Sequence, residues 1–180
     1  MNRSLLAHVT AALDAAGVRY AVIGAGALAV HGIARSTFDL DLFTTDAVAL
    51  EPPTWAATAA DSRIQLEIRR GDSADPLAGI VRVATAGHRD IDVVVGRLRW
   101  QTDVVARAVP VETAGVRLPV VTPADLILLK LYAGGSQDYW DIEQLLARAD
   151  RDTIVETVNS RITPLSRDIH AAWARIGARQ

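Results

Sequence analysis

Residues 38–43, FDLDLF, set Asp39 and Asp41 two apart in an otherwise apolar run. Residues two apart on a β-strand point to the same face, roughly 6–7 Å from one another. A strand that packs into a core gains nothing from carboxylates, because each is costly to bury unless it is paired or neutralised. Two carboxylates side by side can instead grip a divalent cation, or two cations about 4 Å apart. The segment RDIDVVVG repeats the pattern with Asp90 and Asp92. Asp92 is the expected third ligand and Asp90 its competitor, since alternation puts both on one face. Phe38, Leu40 and Leu42, and Ile91, Val93 and Val95, are expected to fill the opposite faces. The plainer alternative is a strand with one wet face, with Asp90 or Asp92 paired to Arg89 or Arg82.

Just upstream lies GAGALAVHG, residues 24–32, where a β-rich stretch stops and a short helix starts. Backbone N–H groups at such a turn attract phosphate, and glycine lets the phosphate approach closely. Phosphates at the turn, with Mg²⁺ or Mn²⁺ between them and the carboxylates, would make one nucleoside triphosphate site. Either half alone is common; the two in this order within twenty residues are a far stronger signal.

The elements that must position these groups follow from the patterning. Of 180 residues, half are hydrophobic and 22% charged, which is enough for one folded core. The net charge of -2 gives no global basic field toward nucleic acid or anionic membranes, and with no cysteine there are no disulfides or thiolate metal sites. No apolar run resembles a signal peptide or is long enough to span a bilayer, so a cytoplasmic location is expected. Leu5, Val9 and Leu13 predict a helix over 4–16 that stops at Gly17. Strands are predicted at 18–24, 38–44 and 63–70, and in AGIVRVAT and RDIDVVVG. A helix is expected over 97–109, then a hairpin turning at Ala114 and Gly115. From Pro123 onward everything reads as helix, with Thr122 as N-cap and Pro123 at the first helical position. The fold class is therefore α/β (α+β), a mixed-sheet core followed by a helical portion. The tryptophans, Trp55, Trp100, Trp140 and Trp173, read as core or interface residues.

The stretch resembles the polymerase-β-like nucleotidyltransferases, whose signature is a Gly-Gly or Gly-Ser turn followed by a D-x-D strand. More narrowly, it is similar to the bacterial AbiEii-type nucleotidyltransferases of toxin–antitoxin systems and their uncharacterised relatives. Gly24, Ala27, His31, Gly32, Arg35, Thr37, Asp39 and Asp41 fall on that family's pattern. The resemblance resumes in TPADLILLKLYAGGSQDYWDIEQLL, where Lys130, Asp138 and Asp141 match. Two departures stand out. Ala25 occupies the usual place of a second glycine, where its methyl could crowd a phosphate. Gly135, Ser136 and Gln137 fill the region where the family carries an arginine.

The resemblance implies a nucleotidyltransferase core over 1–120 with a helical portion over 121–180 packed on it. It implies transfer of a nucleoside monophosphate from an NTP to an acceptor hydroxyl. Asp39, Asp41 and Asp92 would be catalytic and hold the metal, and Lys130 would be catalytic and meet the triphosphate. Gly24, Ala25, Gly26, Arg35, Lys130 and Asp138 would contact nucleotide; Arg35 could equally orient the D-x-D strand. His31 reads as structural. Lys130, read as a surface or site residue, is expected to be removable with little loss of stability. The acceptor would be RNA, such as a tRNA 3′ end, making the chain a toxin with a cognate antitoxin. The acidic balance argues mildly against that acceptor. The alternatives are a small-molecule acceptor, as in antibiotic modification, and a non-catalytic nucleotide-binding or antitoxin-type partner.

Overall fold

A computed structural model describes residues 4–35, 37, 39–113, 115–147 and 150–177. The first helix, α1 (Leu5–Ala15), starts where the Ser4 hydroxyl accepts a hydrogen bond from the Ala7 N–H, and it buries Leu5, Val9, Ala12 and Leu13. It stops before Gly17, which holds a positive φ of 68°. The strands are β1 (Ala21–Val22), β2 (Asp39–Thr44), β3 (Gln65–Arg70), β4 (Leu77–Ala84), β5 (Asp90–Gly96), β6 (Val109–Thr113) and β7 (Val116–Val120). They form one mixed sheet in the order β3-β4-β5-β2-β1-β7-β6. The short helices α2 (Gly24–Val30) and α3 (Ala56–Ala59) and the helix α4 (Arg99–Ala106) complete the first 120 residues, with 3₁₀ turns at Ala47–Leu50 and Pro52–Trp55. Four helices follow: α5 (Pro123–Ala133), α6 (Ser136–Leu146), α7 (Arg151–Arg161) and α8 (Arg167–Gly177). This is the mixed-sheet α/β fold with a helical C-terminal portion that the patterning predicts.

Alternation decides what each face of the sheet does. Leu42, Val81, Val83, Ile91, Val93 and Val95 are buried within the hydrophobic core, on the face that α1 covers at β4 and β5. The opposite face carries the polar members. Strand register draws one row across four strands: Glu67 opposite Arg82, Arg82 opposite Asp92, and Asp92 opposite Asp41. The parallel pairing of β2 with β5 is what brings the two D-x-D segments side by side.

Strand β1 is shorter than the sequence predicts. Only two of its residues pair, because the chain turns at Gly24 into α2. Ile23 N–H still donates to the Asp41 carbonyl at 3.0 Å, which ties the glycine turn to the carboxylate strand. The expected helix over 97–109 is likewise trimmed to Arg99–Ala106, since Val109 already belongs to β6. Phe38 and Ala114, assigned from sequence to an apolar face and to a hairpin turn, lie outside the described residues. Helix α5 begins as expected, with Thr122 as N-cap and Pro123 in the first turn, and ends at Gly134 in the left-handed region. It packs against α6, α7 and α8. Among the described residues no helix is long and apolar enough to cross a membrane.

Candidate active site

Strand β2 delivers Asp39 and Asp41, and β5 delivers Asp92, to one spot on the polar face of the sheet. One carboxylate oxygen from each lies within 4.8 Å of the other two. Asp90 pairs in register with Asp39, nearer the strand start, and is not part of this group. The Thr37 hydroxyl donates to Asp39 Oδ1 at 2.5 Å. Arg82 forks onto Asp92, Nε to Oδ1 at 2.8 Å and a terminal nitrogen to Oδ2 at 2.6 Å. That ion pair is the plainer sequence reading of Asp92, and it coexists with the cluster.

Crowding leaves a mark on Asp41. Burial pushes its carboxyl up to about 6, and the charges of Asp39 and Asp92 add to the rise; Lys130 and Arg35 pull the other way. Three hard oxygen donors converging in this way fit a hard divalent cation such as Mg²⁺ or Mn²⁺, which would relieve the repulsion that raises Asp41.

Gly24 lies directly against Asp41. It holds a φ of 59°, and a methyl group there would overlap the Asp41 carboxylate. At Gly26 an added methyl would press on Leu40 and Val22. Ala25 is buried, so its methyl is enclosed rather than presented to an incoming phosphate.

The helical segment brings cations to the same neighbourhood. The Lys130 ammonium, on α5, donates to Asp141 Oδ2 at 2.5 Å and to Asp138 Oδ1 at 3.1 Å, both on α6. Arg35 reaches Asp141 Oδ2 at 2.6 Å from the loop before β2. Asp138 Oδ2 also accepts the Gly135 N–H, holding the start of α6. Asp141 is fully buried, and its Oδ1 has no hydrogen-bond partner among the described residues. Lys130 is therefore neither a surface nor a snorkelling lysine: its side chain is 7% exposed. The expectation that its removal leaves stability almost unchanged is corrected here, because removal would take one of two cations from a buried carboxylate. Arg35 meets a carboxylate of α6 and so links the D-x-D loop to the helices. His31 Nε2 lies 2.8 Å from the Val121 carbonyl, the backbone contact its sequence reading predicts. Trp55 and Trp173 are buried, Trp100 meets Tyr132 edge-on, and Trp140 is exposed.

Sequence reasoning missed Asp125. It is fully buried at the start of α5 and takes Arg107 at 2.7 Å, Arg161 at 3.0 Å and the Thr122 hydroxyl at 2.8 Å. Its only local signal is its position three residues after an N-cap threonine. The arginines come from distant parts of the chain.

Residues 2–164 match the model of the family described as "Nucleotidyl transferase of unknown function (DUF2204)". No curated protein sequence matches the chain significantly. Among solved structures, the antibiotic-resistance factor ANT(2″)-Ia matches with a TM-score of 0.55 at 14% identity, over 98% of this chain and 96% of that one. A Thermotoga maritima protein assigned to the nucleotidyltransferases gives 0.53 at 17% identity, over 79% and 91%. The nucleotidyltransferase toxin MenT4 of Mycobacterium tuberculosis H37Rv gives 0.50 at 15% identity, over 84% and 60%. At these identities the structural likeness concerns the fold alone.

Proposed function

The chain belongs to the nucleotidyl transferase family DUF2204, and on that footing we propose that it moves a nucleoside monophosphate from an NTP to an acceptor hydroxyl. It is a transferase enzyme; the acceptor, the metal and the residue roles are our reading. The observation that carries this reading is the convergence of Asp39, Asp41 and Asp92 against the Gly24 turn. Asp39, Asp41 and Asp92 would hold Mg²⁺ or Mn²⁺, which supplies positive charge to the attacking and leaving oxygens. In the transfer, the acceptor oxygen bonds to the α-phosphorus and the bond from that phosphorus to the bridging oxygen of the β-phosphate breaks, releasing pyrophosphate. Asp92 takes part of the load of the hydroxyl proton. Gly24, Ala25 and Gly26 form the wall along which the phosphates lie.

Lys130 and Arg35 lie close enough to Asp41 to act on its charge, so in this reading they face the triphosphate from the helical side. Asp138 shares Lys130 and keeps it placed. Residues 1–120 would act as the transferase core and 121–180 as the helical portion that carries Lys130. A cytoplasmic location accords with these substrates.

The favoured acceptor is RNA, for instance a tRNA 3′ end, with the chain acting as a toxin restrained by a cognate antitoxin. MenT4, a toxin, shares the fold. A small-molecule acceptor is the second reading. It draws on the match to the antibiotic-resistance factor, which spans nearly the whole of both chains. The test is to incubate the protein with each labelled NTP and Mg²⁺, with total RNA in one arm and an aminoglycoside panel in another. Label on RNA supports the first reading and label on an aminoglycoside the second, and Asp41→Asn should remove either. Protein that binds NTP yet labels no acceptor in any arm would overturn the transfer reading.

A further inference from the structure

The row Glu67, Arg82, Asp92, Asp41 alternates in an uneven way: one cation stands among three anions, on four adjacent strands. Arg82 occupies both oxygens of Asp92, at 2.8 and 2.6 Å. Among the described residues, neither Asp39 nor Asp41 has an ion-pair partner within 4.0 Å, so Asp92 is the one member of the cluster already taken by a cation of the chain. A divalent cation ligated by Asp92 would lie about 2.0–2.6 Å from one of the same oxygens. It would then stand beside the guanidinium, and two adjacent cations on one carboxylate repel strongly where water is partly excluded. Asp92 is 8% exposed, whereas the Arg82 side chain is 48% exposed and has somewhere to go. Glu67, Arg69, Ile80, Arg82 and Asp92 line a small cavity of about 60 Å³; Glu67 lies opposite Arg82 on β3 and already accepts from Arg69 Nε at 2.7 Å, so Arg82 would share that carboxylate with Arg69.

We propose that Arg82 is the resident counter-cation of Asp92, a positioning residue that yields this carboxylate to an entering divalent cation and turns toward Glu67. The proposal rests on the reading of the Asp cluster as the metal-holding part of the transferase site. Without metal, Arg82 keeps Asp92 aimed beside Asp41 by its two-pronged grip. With metal, its release frees both oxygens. Arg82 thereby sets how much cation is needed before Asp92 joins the site, while no described residue ion-pairs directly with Asp39 or Asp41.

The experiment is a Mn²⁺ titration of the nucleotide-free protein, followed by the electron paramagnetic resonance signal of free Mn²⁺. Arg82→Gln should tighten Mn²⁺ binding by about tenfold, and Arg82→Lys, which keeps the charge but loses the fork, by less. The deciding control is the same Arg82→Gln change made in an Asp92→Asn protein, where Mn²⁺ affinity should move by less than about twofold. A gain of equal size in that background would mean a general charge effect and would overturn the proposal. So would equal Mn²⁺ affinity in wild type and Arg82→Gln, including the case where neither binds. Circular dichroism melts check that each variant is folded, and Arg82→Lys keeps the test decisive if the glutamine variant is not. Because no transfer is measured, a protein that passes this test yet labels no acceptor keeps the Arg82 exchange and loses only the transferase reading.

Discussion

Two acidic centres in this molecule are provisioned in opposite ways. Asp125 is one carboxylate with two guanidinium groups and a hydroxyl on it, fully buried where α5 meets Arg107 and the end of α7. The cluster of Asp39, Asp41 and Asp92 is three carboxylates with one guanidinium, that of Arg82. In the first centre the chain satisfies its own charge, and the result is a rivet between segments. In the second it leaves negative charge in excess; burial first, and then the charges of Asp39 and Asp92, push the Asp41 carboxyl up to about 6. On the proposed reading, the difference would separate structural acids from acids kept for a ligand, with the count of cations on each a better guide than burial, since the better-buried acid is the one with two guanidinium partners.

The largest expected effect lies at the satisfied centre. Asp125→Ala should cost roughly 3–5 kcal/mol in urea unfolding, because it strands Arg107 and Arg161 against each other in a partly buried place. A loss below about 1 kcal/mol would break the contrast by showing that this centre is not a rivet. Lys130→Ala is expected to cost less, roughly 1–3 kcal/mol, since Arg35 stays on Asp141. It should also weaken NTP binding, measured per folded molecule. Full NTP affinity in that variant would move Lys130 to the structural side of the comparison.

The smallest effect has the opposite sign. The folded pKa of Asp41 lies above its ordinary 3.8, so between about pH 4 and 6 the folded state binds more protons than the unfolded one. Through this group, stability of the metal-free protein therefore falls as pH rises across that window. Asp41→Asn removes the fall. The variant should gain about 1–2 kcal/mol on wild type above pH 6, and much less at pH 4, in metal-free chemical denaturation. Added Mn²⁺ should reverse the ranking by stabilising wild type alone. A wild-type-minus-variant difference that stays flat from pH 4 to 6 would show that burial and the neighbouring carboxylates do not raise Asp41.

Much of this was legible in the residues. Period-two alternation located β2 and β3, and the step from a strand into the Gly24 turn located the site. Thr122 and Pro123 marked the start of α5. The choice between Asp90 and Asp92 was not legible, since both face the same way and only the register of β2 on β5 separates them. That register is a product of tertiary packing, which local patterning does not carry. The partners of Asp125 were hidden for a related reason: Arg107, just after α4, and Arg161, at the end of α7, reach it with no fixed spacing in sequence. Lys130 read from sequence as a residue that meets the triphosphate, and its pairing with Asp138 and Asp141 was not visible there. Its true environment depends on α6 folding back across α5 after Gly134.

The parallel pairing of β2 with β5 has a consequence for how the protein comes to exist. Asp41 and Asp92 stand roughly fifty residues apart along the chain, so closing that loop is an entropic cost that precedes any reward from the contact. The strands must also zip together against the growing repulsion of their own carboxylates. During synthesis, a chain that has not yet emitted β5 carries two of the three acids and no assembled cluster. On the proposed reading, cation capture would have to wait for β5 to pair with β2, while β6, β7 and helices α5 to α8 still follow in the chain.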